Sequence, residues 1–169
     1  YQSFVKANAD LENYESFKFQ PEKLKGDSLK GKEGIDFGAI PSLDGDFLFA
    51  TYSDQEFGGK IKGLAIVDLQ TMDLKKIPIP ELESLEDYHI SMYRDGNPYM
   101  TLIERVWLKE INGKLIISNS AKNEAFIYDL QADSLSTKKL HSSLTADSKK
   151  GSYPKRVESN EEMQDAQTE

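Results

Sequence analysis

The sequence predicts an all-β protein built from antiparallel blades of a β-propeller, about two blades with flanking strands. Three observations carry that expectation. One strand-and-turn pattern occurs twice. Asp-Gly and Asn-Gly, dipeptides that accept positive φ in tight hairpins, stand ahead of its strands. The strands are apolar on successive positions, as expected of a sheet covered on both faces.

The chain divides, on this reading, into five stretches of a single partial propeller domain. Residues 1–42 supply a preceding strand, around Tyr14 to Phe19, and a Lys/Gly/Asp-rich loop from Pro21 to Glu33. Residues 43–78 are the first repeat: Asp44-Gly45, the strand Phe47 to Tyr52, a strand ending in Asp68-Leu69-Gln70, a reversal, and a strand carrying Lys75-Lys76. The aspartate caps its turn by accepting backbone N–H bonds. The lysines are expected on an outer strand, where charge discourages edge-to-edge pairing.

Residues 79–98 are an insertion, with one or two helical turns over the acidic stretch Glu81 to Asp87. Residues 99–140 repeat the pattern. A strand from Met100 to Glu110 leads into Asn112-Gly113, the strand Leu115 to Ser118, a second Asp129-Leu130-Gln131 and Lys138-Lys139. The copies lie 68 residues apart at the turn glycines (Gly45 to Gly113) and 61 apart at the aspartates (Asp68 to Asp129). A short-repeat propeller blade occupies roughly 40–45 residues, so the excess is insertion. Residues 141–169 form a connecting loop and a short helix, Asn160 to Gln167, opened by the capping box Ser159/Glu162. Its apolar face holds only Met163 and Ala166, so weak attachment is expected.

Roughly four to eight blades close a propeller, and an open pair exposes sheet edges and apolar faces. The chain is therefore expected to be a segment of a longer protein. A compact β-sandwich or small barrel is the alternative.

Composition narrows the function classes. The 169 residues are 38% hydrophobic and 30% charged, the balance of a globular domain. Twenty-nine acidic against 21 basic residues give a net charge of -8, which argues against nucleic acid as a partner. No apolar run approaches the roughly 20 residues that cross a bilayer. The absence of cysteine excludes disulfides, thiolate metal sites and cysteine nucleophiles.

Catalytic signatures are poor. His89 and His141 fall in different predicted loops, with no spacing that joins them to other metal ligands. Asp44-Gly45-Asp46 and Asp95-Gly96-Asn97 resemble fragments of calcium loops but lack the further oxygen ligands, and read as turns. There is no Gly-x-Ser-x-Gly elbow, and Gly58-Gly59-Lys60 lacks the rest of a phosphate loop. No catalytic residue, metal ligand or cofactor is assigned. The candidate ligand-binding residues are Tyr93, Arg94, Arg105 and Trp107, within a cluster that includes Tyr88 and Tyr99. Aromatics with arginine are favoured at interfaces. The competing reading makes Trp107 and Tyr99 blade core and pairs the arginines with nearby carboxylates.

Three segments carry a resemblance: Gly113 to Ser118; Asn123 to Asp129; and Leu140 to Thr145 leading to Tyr153-Pro154 and Ser159 to Glu162. They resemble a family of exported Bacteroidota proteins, largely lipoproteins, a domain of unknown function with six-bladed propeller-like architecture. The resemblance implies a cell-envelope location, at the periplasm or outer-membrane surface, with a lipid anchor upstream of this stretch. The expected function is a non-enzymatic binding or scaffold module for a glycan, peptide or protein. The alternative is a propeller-type hydrolase or lyase whose site is completed by other blades.

Overall fold

The computed structural model describes residues 3–7, 14–18, 21–36, 38–144 and 146–168. Strand is the dominant element, and the protein is mostly β.

An antiparallel hairpin pairs β1 (Ser3–Ala7) with β2 (Tyr14–Lys18). Sheet I follows from β3 (Lys25–Gly26), β4 (Glu33–Ile35), β5 (Ile40–Pro41), β6 (Phe47–Asp54), β7 (Ile61–Asp68) and β8 (Asp73–Pro78). Its order is β3-β8-β7-β6-β4, with β5 also on β6, and only β3 runs parallel to its neighbour. Helix α1 (Pro80–Glu83) and a 3-10 turn at Ser84–Tyr88 then lead to β9 (Ile90–Arg94) and β10 (Asn97–Leu102). Sheet II is the four-stranded antiparallel meander of β11 (Val106–Ile111), β12 (Lys114–Asn119), β13 (Glu124–Asp129) and β14 (Ser134–Lys139). Finally β15 (Arg156–Val157) joins β9 in parallel to complete sheet III, and α2 (Asn160–Thr168) ends the described chain.

The two repeats make the same local structure. Asp68 Oδ1 accepts the N–H groups of Gln70 (2.8 Å) and Thr71 (2.9 Å), and Asp129 Oδ1 those of Gln131 (3.1 Å) and Ala132 (2.9 Å). These bonds favour the ionised form, and both carboxyls are held below the usual aspartate range. Four residues after each aspartate, Met72 and Asp133 take positive φ, at 61° and 51°. Registers match as well: Phe47 faces Asp68, and Lys114 faces Asp129.

Two turns are tighter than the rest. Asn112-Gly113 and Asp95-Gly96 have positive φ at both positions and join strands through two-residue loops, the geometry that suits strand twist. Asp44-Gly45 sits instead in a longer loop, where Asp44 Oδ1 accepts from Ser42 Oγ and from the Asp46 N–H.

The sheets stack through opposite faces. Phe49, Leu64 and Ile66 of sheet I join Leu115, Ile117, Phe126 and Tyr128 of sheet II in one core, with Ile79, Leu82 and Leu85 filling the gap. The other face of sheet I, with Leu48, Ala50, Ala65 and Val67, lies under Leu24, Leu29 and Ala39 from the preceding loops. By register, Ile116 and Ile127 of sheet II correspond to Phe49 and Ile66 of sheet I. Yet no described element buries them. Trp107 and Ile111, on the same face, are 49% and 41% exposed. A third core joins Ile90, Met92 and Val157 to Met163 and Ala166 of α2.

Four expectations need correcting. Met100 to Glu110 is not one strand: residues 103–105 interrupt it, because the Glu104 carboxylate turns inward and the Arg105 N–H donates to Ser120 Oγ (2.9 Å). Trp107 and Tyr99 are not core. Lys75 and Lys76 do not guard a free edge. Lys76 Nζ meets Glu33 (2.5 Å), and Lys75 Nζ meets Asp133 of the other repeat (2.5 Å). Helix α2 is better seated than its composition implies, since Met163 and Ala166 are both buried. Half of its capping box forms: the Glu162 N–H donates to Ser159 Oγ (3.1 Å), while the Glu162 carboxylate accepts the Glu158 N–H (2.8 Å).

Candidate functional site

The break between β10 and β11 opens a cleft. Arg105 and Ser120 bridge it through their backbones, the Ser120 N–H donating to the Arg105 carbonyl (3.0 Å). The Ser120 hydroxyl accepts from the Arg105 N–H and donates to Glu104 Oε2. From the loop after sheet II, Lys149 Nζ reaches Glu104 Oε1 (2.7 Å) and Oε2 (3.0 Å). Glu104 is 7% exposed, so this pairing compensates a carboxylate taken out of water. The Lys149 N–H donates to the Ala121 carbonyl (2.8 Å), which fixes the loop against the connection between β12 and β13.

Around this network lies a cavity of about 580 Å3. Tyr88, Ile90, Leu102 and Tyr153 form its apolar walls. Arg105 and Lys150 also line it, and neither side chain has a hydrogen bond or ion pair among the described residues. Tyr153 is anchored by its hydroxyl, which donates to the Tyr88 carbonyl (2.8 Å). The size lies within the roughly 300–1,000 Å3 of small-molecule sites.

A smaller hollow of about 280 Å3 lies beside His89, between Phe57, Tyr93 and Lys155. His89 is 6% exposed, and neither ring nitrogen forms a hydrogen bond of good geometry. Burial lowers its pKa below the ordinary histidine value, although the Gly58 backbone, Glu104 and Glu86 favour the charged ring. His141 is separate, with Nδ1 2.7 Å from Asp147. Among the described residues, no three His, Asp or Glu side chains are placed to hold a metal ion.

The structure separates the four residues singled out from sequence. Arg105 lines the large cleft, together with Tyr88. Tyr93 meets Phe57 edge to face (5.7 Å) and lies under the Arg156 guanidinium (4.1 Å). Arg94 stacks on Tyr99 (3.8 Å), and Trp107 stands on the open face of sheet II. Glu104, Ser120, Lys149 and Lys150 were missed. The available signal was a charged pair, Glu104-Arg105, inside an otherwise apolar stretch.

No helix among the described residues is long and apolar enough to cross a membrane. The chain belongs to the family described as Domain of unknown function (DUF4221), whose family model matches residues 1–169. No curated protein and no solved structure matches it.

Proposed function

We propose that this chain is a non-enzymatic binding module of a cell-envelope protein, built on propeller-type stacking and taking its ligand in the cleft between β10 and β11. Sheets I and II are neighbouring blades in this reading. Support comes from their head-to-tail packing, in which equivalent strands contribute opposite faces to one core. The open Trp107 face is where the next blade stacks. The envelope location rests on the resemblance carried by residues 113–162.

One observation carries binding over catalysis. The cleft's inner polar groups are committed to each other, while Arg105 and Lys150 on its walls have no side-chain partner among the described residues. The Ser120 hydroxyl is used as both acceptor and donor, so it acts as a strut across the strand break. A nucleophile would have to present that oxygen to substrate, and here it is taken up by the Arg105 N–H.

The hydrolase reading has one specific observation in its favour, the close Ser120–Glu104 hydrogen bond beside a cavity. Glycan and peptide arrays, run beside chromogenic ester, phosphate and glycoside substrates, separate the two. The binding reading expects retention without turnover. Turnover that disappears in Ser120→Ala would establish the hydrolase.

A further inference from the structure

We propose that the cleft between β10 and β11 selects a small organic anion, held by Arg105 and Lys150 through a carboxylate or phosphate group and by Tyr88, Leu102 and Tyr153 through an apolar body. The proposal rests on the binding reading above and names the chemistry of its ligand.

Charge is the first argument. The whole chain carries -8, yet the described residues lining this cavity include three cations, Arg105, Lys149 and Lys150, and one carboxylate, Glu104. The wall therefore has an excess of two positive charges on an acidic molecule. Such local inversion focuses positive potential on an approaching anion.

The second argument is commitment. Lys149 already holds Glu104 with both contacts at 3.0 Å or less, so that pair neutralises itself. Arg105 and Lys150 have no partner among the described residues. The Arg105 backbone is fixed on both sides by Ser120, which positions its guanidinium at the cleft without spending it. A guanidinium offers a planar fork that matches carboxylate and phosphate oxygens, while the lysine adds a point charge.

The third argument is the walls. Tyr88 and Tyr153 are tied together by a hydrogen bond, and Leu102 packs against the core beneath α2. These surfaces suit an aromatic or aliphatic body. A bare inorganic ion would leave them wet, so the anion is expected to be organic.

The test is titration of the protein with phenylphosphate, phenylacetate and glucuronate, against the neutral probes 2-phenylethanol and glucose, followed by backbone amide shifts. Saturable shifts are expected at residues 103–105, 120 and 148–153, with the anionic probes binding roughly tenfold more tightly than their neutral counterparts. Raising salt from about 50 to about 500 mM is expected to weaken the anions selectively. The ranking of phenylphosphate against phenylacetate identifies the headgroup.

Arg105→Gln with Lys150→Gln alters two exposed side chains outside the cores, so the melting temperature should hold while anion affinity falls roughly tenfold. Equal affinity for neutral and anionic probes would overturn the proposal, as would shifts absent at the cleft or unchanged in the double variant. The parent reading fails differently. Phenol released from phenylphosphate would retire the non-enzymatic reading and leave the anion site standing. Neutral glycans binding in the cleft with anions excluded would do the reverse.

Discussion

Sheets I and II share a turn, a register and a strand order, but among the described residues only sheet I is covered on both faces. Phe126 and Ile127 are neighbours on β13 and point opposite ways. Phe126 is fully buried between the sheets, while Ile127 stays only partly buried on the open side. In sheet I the counterparts Ala65 and Ile66 are both buried. The same strand pattern thus has different energetic weight according to what lies against it. An apolar residue in a repeat protein signals where a neighbour packs, and stabilises only when the neighbour is there.

The largest expected effect breaks the shared core. Phe126→Ala should cost about 3–5 kcal/mol in urea unfolding, since it removes a fully buried ring from between the sheets. The equivalent isoleucines sharpen the comparison. Ile66→Ala should cost about 2–4 kcal/mol, and Ile127→Ala no more than about 1 kcal/mol. Equal costs at the two isoleucines would mean that the open face is covered.

The next effect belongs to sheet I alone. Burial pushes the Glu33 carboxyl upward, but the Lys30 N–H and the Lys76 and Lys62 ammonium groups outweigh it and hold its pKa at about 2. The folded value lies below the ordinary 4.5, so this stability is complete above about pH 4.5 and is lost as pH falls toward 2. Glu33→Gln should cost about 2 kcal/mol at neutral pH, between the values for exposed and buried pairs. It should also flatten the acid limb of the melting curve. Sheet II has Thr137 at the position of Lys76 and offers no counterpart.

A smaller pH effect sits beside the junction. Burial keeps His89 neutral below the pH at which an unfolded histidine protonates. The unfolded state then binds more protons, so stability falls as pH drops below about 6.5. His89→Leu should remove that slope between about pH 7 and pH 5, measured by melting temperature. A slope unchanged in the variant would assign it to other groups.

The smallest effect is spectroscopic. Trp107 is the single tryptophan and is 49% exposed. Its native fluorescence should be readily quenched by acrylamide and should shift blue when another sheet covers the face. A quenching-resistant native state would place it inside a core.

What the sequence revealed was local. The aspartate-capped turns were legible because Asp68 and Asp129 bind N–H groups two and three residues away. Asn112-Gly113 was legible because its backbone requirement is written in two adjacent residues. The cleft was not legible, since Glu104 finds its partner 45 residues later in an irregular loop. Nothing in a short apolar stretch says that one charge within it turns inward. Trp107 misled for a related reason. Its strand alternates, and a single sequence does not say which face has a neighbour.

The stacking of two equivalent sheets into one cooperative core is tested most directly by native-state hydrogen exchange in the wild type and in Phe126→Ala. The account predicts that protected amides of β6 and β7 open with those of β12 and β13 at a common free energy, and that the substitution lowers both sets together. Loss of protection confined to β12 and β13, with β6 and β7 unmoved, would show two independent sheets and contradict it.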